Sequence, residues 1–359
     1  MRVKLRDVCE RGSSNLKQSD VVEKDGDYPI YGASGYIGNV GFYHQENSYV
    51  AVVKDGAGIG RTILCPAKSS VIGTMQYLLP KDNVLPEYLY YVVSYMHLEK
   101  YFTGATIPHI YFKDYKSEEF NLYSVDKQKQ IVNTLGKCVA VIESRKRELQ
   151  LLDTFIKARF VELFGNPVSN SYGLPEATLP DLGEFGRGVS KHRPRNDIKL
   201  LGGKYPLIQT GDVANAGLYI TSYSNTYSEL GLKQSKMWDK GTLCITIAAN
   251  IAKTAILEFD ACFPDSVVGF IANERTNNIF VHYWFSFFQA ILESQAPESA
   301  QKNINLKILS ELKVIVPEKR KQDQFASFVK LTDKSKVAVQ KALDEAQLLF
   351  DSLMQEYFG

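Results

Sequence analysis

The chain has 359 residues, 45% hydrophobic and 23% charged, with 42 Lys and Arg against 40 Asp and Glu for a net charge of +2. That balance reads as an ordinary globular protein with room for two or more cored domains, and it weighs against unselective coating of nucleic acid. No run of 18 apolar residues offers a membrane span and MRVKLRDVCERGSS has no leader-like apolar segment, so a cytoplasmic protein with no membrane partner is expected.

In chain order, KLRDVCE (Lys4–Glu10) leads to YPIYGASGYIG (Tyr28–Gly38), a stretch of strand and turn character. SYVAVVKD (Ser48–Asp55) and TILCPAKSSVIGTMQYLLP (Thr62–Pro80) predict strands, being rich in β-branched and aromatic residues and broken by Gly, Pro and Ser. Between them DGAGIGRT (Asp55–Thr62) is a tight turn built on glycine. It lacks G-x-x-x-x-G-K-[ST] and does not open the helix of a βαβ unit, so it is no phosphate loop; GASGYIG (Gly32–Gly38) fails the same tests. LPEYLYYVVSYMHLEKYF predicts a helix over Leu85–Phe102.

A long helix follows, opening at KQKQIVNTL (Lys127–Leu135). Steps of four and three select Ile131, Leu135, Cys138, Ile142, Arg145, Leu149, Leu152, Ile156, Arg159 and Leu163, and eight of these ten are apolar. That is the 3.5-residue repeat of a coiled-coil seam. About 35 residues at 1.5 Å each make a rod of roughly 50 Å. NPVSNSYGLP (Asn166–Pro175) is the linker that follows.

The chain then restates itself. TLPDLGE (Thr178–Glu184) resembles KLRDVCE, YPLIQ at Tyr205 resembles YPIYG, and NIAKTAIL at Asn250 resembles GIGRTIL. GTLCITIAA (Gly241–Ala249) and SVVGFIAN (Ser266–Asn273) predict strands, and IFVHYWFSFFQAILES a helix over Ile279–Ser294. KQDQFASFV (Lys321–Val329) repeats the helix opening, with Lys127, Gln128 and Gln130 matched by Lys321, Gln322 and Gln324. The offset grows from 174 to 194, so the second copy carries about 20 extra residues. Its seam reads Phe325, Val329, Thr332, Lys336, Val339, Leu343, Ala346, Phe350, Leu353 and Tyr357, again eight of ten apolar. A period this long means duplicated domains rather than a solenoid. The expected class is α+β: two mixed globules at 1–124 and 166–317, and two long helices at 125–165 and 318–359. Each stripe would stay wet alone, so the helices are expected to pair as an antiparallel coiled coil.

Covalent chemistry finds little support. The only Asn-Pro, Asn166-Pro167, lies in the linker and not in an Asn-Pro-Pro-aromatic loop of an amino methyltransferase. A nuclease pattern could start at Pro264-Asp265, but Glu274 leads to Arg275 and Thr276 where x-Lys is required. His44, His97, His109, His192 and His282 are dispersed, and the five cysteines form no C-x-x-C pair, so no catalytic residue and no metal site is expected.

Binding is what remains. GRGVSKHRPRNDIK concentrates Arg187, Lys191, His192, Arg193, Arg195 and Lys199 in a stretch with glycine and proline, which reads as a mobile basic loop suited to phosphate and groove contact. In the first globule the candidates are Lys54, Arg61, His109, Lys113 and Lys116, the last three around HIYFKDYK, where basic and aromatic residues alternate.

The order of these features resembles the specificity subunits of type I restriction-modification systems. The carrying stretches are YPIYGASGYIG and YPLIQTGDV, GIGRT and NIAKT, CFPDSVVGF (Cys262–Phe270), Gln130 and Gln324, and the helix ends KARFVELFGNP and LLFDSLMQEYFG. The resemblance covers essentially the whole chain and implies two target recognition domains, each reading one half of a split double-stranded DNA target. It adds Tyr31, Ser34, Gln209, Thr210, Asn250 and Lys253 to the DNA-contact candidates. It also implies that the long helices act as spacer and dock two modification (methyltransferase) subunits, with Ile131, Leu135, Ile142, Leu149, Leu152, Ile156, Leu163, Phe325, Val329, Val339, Leu343, Phe350, Leu353 and Tyr357 serving helix pairing and partner docking. Restriction subunits join that core. S-adenosylmethionine is then expected in the modification subunit, with no cofactor in this chain. YGASG stands where the second copy has IQTGD, so the two domains should read different half-sites. The rival readings are a single-chain methyltransferase or nuclease and a coiled-coil adaptor that binds only protein.

Overall fold

The computed structural model describes the chain apart from residues 22–25, 105–107 and 296–303. It forms two compact units: residues 1–146 with 341–359, and residues 147–340.

In the first unit, Cys9–Ser13, Met75–Pro80, Tyr49–Val53 and Thr62–Cys65 lie in that order in an antiparallel sheet. A smaller sheet pairs Tyr28–Gly32 with Gly35–Val40 antiparallel and with Ser70–Val71 parallel. The unbroken apolar run YVAVV is explained by burial on both faces. Val50 and Val52 pack with Tyr88, Leu89 and Val92, while Tyr49, Ala51 and Val53 pack with Val71, Met75 and Tyr77.

The second unit repeats the plan. Gly183–Arg187, Val267–Ala272, Leu243–Thr246 and Thr254–Leu257 follow the same order, and Tyr219–Ile220 adds a fifth, parallel strand. Leu201–Leu207 takes the place of Tyr28–Gly32 and again has a parallel neighbour, Ala261–Cys262. The extra residues of the second copy include the helix Thr210–Asn215 and the strand Tyr219–Ile220.

The helix expected over Leu85–Phe102 covers only Pro86–Tyr95. His97 then turns left-handed (φ 50°) and Leu98–Tyr101 forms a 3-10 turn. The cause is tertiary. Leu98 is fully buried, and the backbone after it lies against Gly60, where a Cβ would sit 2.5 Å from the Glu99 nitrogen. The corresponding helix of the second copy, Asn278–Gln295, runs unbroken.

The long helices are Val125–Phe164 and Lys319–Phe358, 40 residues each. Gly165 ends the first in the left-handed region (φ 73°), with Ser171 and Tyr172 filling the space a side chain would need. In the linker, Asn166 Oδ1 accepts from Val168 N (2.9 Å) and the Asn170 amide clasps Leu174.

All twenty seam positions are buried or half-buried. In the first unit Ile131 and Leu135 share a core with Met354 and Phe358, and Phe350, Leu353 and Tyr357 pack against it. In the second, Ile156, Phe160 and Phe164 share a core with Phe325 and Val329, joined by Leu163. The start of one helix thus meets the end of the other, in each unit, as antiparallel pairing requires.

Candidate nucleic-acid interface

In the first unit the candidates converge on the turn joining Tyr49–Val53 to Thr62–Cys65. Val53 and Gly60 pair across it, and Gly56, Gly58 and Gly60 take φ of 85°, 83° and 81°, which only glycine adopts without strain. Lys54 Nζ lies 3.6 Å from the Asp55 carboxylate. That carboxylate also meets His109 Nδ1, and the backbone of Ile110 donates to the Lys54 carbonyl (2.9 Å). The His109 ring stacks on Tyr111, and Lys113 Nζ lies 5.2 Å from the same ring. On the other side of the turn, Arg61 Nη1 donates to the Ala33 carbonyl (3.1 Å), beside Ser34 in the tight turn after Tyr31. Lys54, Arg61, His109, Lys113, Tyr31 and Ser34 are thus drawn to one region. Lys116 is not part of it; its carbonyl accepts from Arg6 N.

The equivalent turn of the second unit is built the same way with other residues. Thr246 and Lys253 pair as Val53 and Arg61 do, and Ala249 and Ala252 hold the positive φ angles (62° and 57°). The Thr246 hydroxyl donates to the Asn250 carbonyl and accepts from Lys253 N (3.1 Å), so Asn250 and Lys253 sit on a braced loop. Gln209 and Thr210 begin the helix Thr210–Asn215, with Gln209 N donating to Asp212 (2.7 Å).

The basic loop is tied down rather than loose. Arg187 ends the strand Gly183–Arg187, and Gly188 N donates to Val267 O (2.9 Å). Lys191 N and His192 N both donate to Gln234 Oε1 (2.7 and 3.0 Å). Arg193 donates through Nη1 to the carbonyls of Ser190 (2.6 Å) and His192 (2.9 Å), and its Nη2 lies 3.5 Å from Asp265. Arg195 Nη2 donates to the same carboxylate. His192 Nε2 meets Asp197 at 3.0 Å. The Lys199 N–H and then this histidine hold the Asp197 carboxyl below its usual range. The expectation of a mobile loop fails because its partners, Gln234 and Asp265, lie far along the sequence.

Two residues matched in the repeat but not singled out prove central. Gln128 and Gln322 are both fully buried. Gln128 accepts from Leu85 N (2.9 Å) and donates to the carbonyls of Asn83 and Tyr123 (2.9 Å each). Gln322 accepts from the Thr276 hydroxyl (2.9 Å) and donates to Arg275 O (3.0 Å) and Pro317 O (2.8 Å). Each fastens a long helix to the loop that starts the preceding helix of its own globule. Gln130 and Gln324, the pair singled out from the motif, are exposed.

Because the seam residues are turned inward, the apolar side chains left on the outer faces are others. Val141, Leu348 and Leu349 are exposed in the first unit, and Leu151, Phe155, Leu331 and Val337 in the second. Among the described residues, no three His, Cys, Asp or Glu side chains gather as metal ligands would, and no helix is long and apolar enough to cross a membrane.

A family model described as the type I restriction modification DNA specificity domain matches residues 1–153 and again 176–346, once for each copy of the repeat. The chain belongs to that family. A curated relative from Methanocaldococcus jannaschii, named as a type I restriction enzyme MjaX specificity subunit, is 22% identical over 266 residues. The match takes in 70% of this chain and 62% of that protein. The crystal structure of a type I restriction-modification system S subunit from M. genitalium superposes with a TM-score of 0.63 at 17% identity, covering 100% of this chain and 96% of the other. A chain from a structure of the type I R-M system, concerned with complex assembly and conformational transition, gives 0.53 at 12% identity over 99% and 97%. At these identities the superpositions show a shared fold, and the family model matches this chain twice.

Proposed function

We propose that this chain is the DNA-reading, non-catalytic subunit of a type I restriction-modification enzyme. Residues 1–124 and 166–317 would each recognise one half of a split target, and the helices 125–165 and 318–359 would space them. The observation that carries the reading is the twin turn. The same closing backbone bonds, Val53 with Gly60 and Arg61 and Thr246 with Ala252 and Lys253, frame turns of different length and side chains in the two copies, as two readers of unlike half-sites require. Phosphate contacts from Lys54, Arg61, Lys113, Lys191, Lys199 and Lys253 would position the duplex, and base contacts would specify it. A stiff connection makes binding of the second half-site intramolecular, so two weak readers act as one strong one. Two modification subunits, holding S-adenosylmethionine and methylating adenine, would dock on the helices. The outward residues Leu151, Phe155, Leu348 and Leu349 are better placed for this than the buried seam. A restriction subunit would complete the enzyme, in the cytoplasm.

The test is to map methylated adenines genome-wide in cells with and without this chain. A bipartite motif that vanishes with the chain supports the reading; an unchanged methylation pattern refutes it. Methyl transfer to DNA by the purified chain alone, from labelled S-adenosylmethionine, would favour a self-contained methyltransferase instead.

A further inference from the structure

We propose that Asp265 braces Arg195 so that this arginine reads a guanine edge in the half-site met by the second unit. The inference rests on the DNA-recognition reading above and names one specificity determinant within it. In the sequence, Asp265 lies within the stretch CFPDSVVGF and is otherwise marked only as the start of a nuclease pattern that is never completed.

The local fold explains why the two meet. Asp265 lies in the turn between Ala261–Cys262 and Val267–Ala272, which Val267 N closes by donating to Pro264 O (3.0 Å). Behind it the Phe263 ring stacks on the fully buried Trp238 (5.1 Å between centroids, 18° between planes), fixing the segment. The basic loop leaves its strand directly over this segment. At Gly188 a Cβ would lie 2.2 Å from Phe263 O and 2.5 Å from Pro264 O, so only glycine allows so close a crossing.

The two arginines on Asp265 have different duties. Arg193 also donates to two loop carbonyls, at Ser190 and His192, and therefore holds the loop closed. Arg195 gives Asp265 one Nη2 hydrogen bond, and among the described residues its Nη1 and Nε donors have no partner. A guanidinium held at one corner by a carboxylate keeps its remaining donors in a fixed plane. The second Nη2 hydrogen, together with Nη1–H or Nε–H, then makes a fork that matches the O6 and N7 acceptors of guanine in the major groove. The same carboxylate repels a phosphate approaching from its side, which turns Arg195 from backbone contact toward base readout. Lys191 and Lys199 stand to either side of Arg195 in the loop and can supply the phosphate contacts.

The test uses the full chain co-expressed and purified with modification subunits. Duplexes carry the mapped target, its single-base variants and a scrambled control. Arg195→Lys keeps the charge but loses the fork. It is expected to reduce discrimination for guanine at one position of one half-site by about ten- to a hundredfold. Asp265→Asn should reduce discrimination at the same position and lower the ratio of specific to scrambled binding. Thermal melts accompany both, and Arg195→Lys carries the test alone if Asp265→Asn fails to fold. Base preferences that survive Arg195→Lys at every position overturn this inference but leave the recognition reading standing. A complex that prefers no duplex before any substitution overturns both.

Discussion

At the scale of single residues, buried polar groups carry more consequence than the charges that mark the surface. Gln128 and Gln322 each make three hydrogen bonds away from water, so truncation strands several backbone or hydroxyl partners at once. Gln128→Ala and Gln322→Ala should each cost about 2–4 kcal/mol in urea unfolding, against less than about 0.5 kcal/mol for exposed Gln130→Ala. Equal effects at both positions would contradict the staple. His282 offers a pH signature. Burial first, and then the Lys336 charge, lower its pKa from 6.5 to about 4, with Thr254 Oγ1 2.9 Å from Nδ1. Between those values the unfolded chain binds a proton that the folded chain refuses. Stability from this residue is therefore complete above pH 6.5 and is lost as pH falls toward 4, by on the order of 3 kcal/mol. His282→Gln should flatten that part of the stability–pH curve, and an unchanged slope would argue against it. The basic loop was legible in the sequence as charge. Its bracing was not, since Asp265 lies 70 residues beyond Arg195 and nothing local ties them.

At the scale of elements, the seam was the most legible feature. A 3.5-residue stripe needs no tertiary information, and every position it selected is buried or half-buried. What it omitted is a second face at each helix end. Phe160 and Phe164 join Phe280 and Phe325, and Phe358 sits against Tyr88, because each end packs on a globule as well as on a helix. The break at His97 was illegible for a similar reason, being imposed by Gly60 across the core. Four seam positions depart from the apolar rule, Arg145, Arg159, Thr332 and Lys336, and of these Lys336 pairs with Asp153 at 2.7 Å. A polar residue in a seam selects register at some expense of stability. Lys336→Met should therefore leave the melting midpoint level or raise it, since the pair's worth is about 0–1 kcal/mol. In the proposed enzyme it should also broaden the range of half-site spacings that are methylated. A lower midpoint with spacing unchanged would mark Lys336 as a simple stabiliser.

At the scale of the whole molecule, the duplication was readable because strand-like stretches, helices and the two glutamines recur in the same order, at an offset that grows from 174 to 194. Strand order was not, since pairing such as Tyr28–Gly32 with Ser70–Val71 joins segments whose sequences carry no mark of each other. In the proposed enzyme the long helices set how far apart the half-sites of the target lie. Inserting one heptad at matched positions of both long helices, then mapping methylated adenines in cells carrying the altered chain, tests it most directly. The same two half-sites with a longer tolerated spacer between them are expected. Methylation at the original spacing, by a chain shown to fold with the inserts in place, would contradict it.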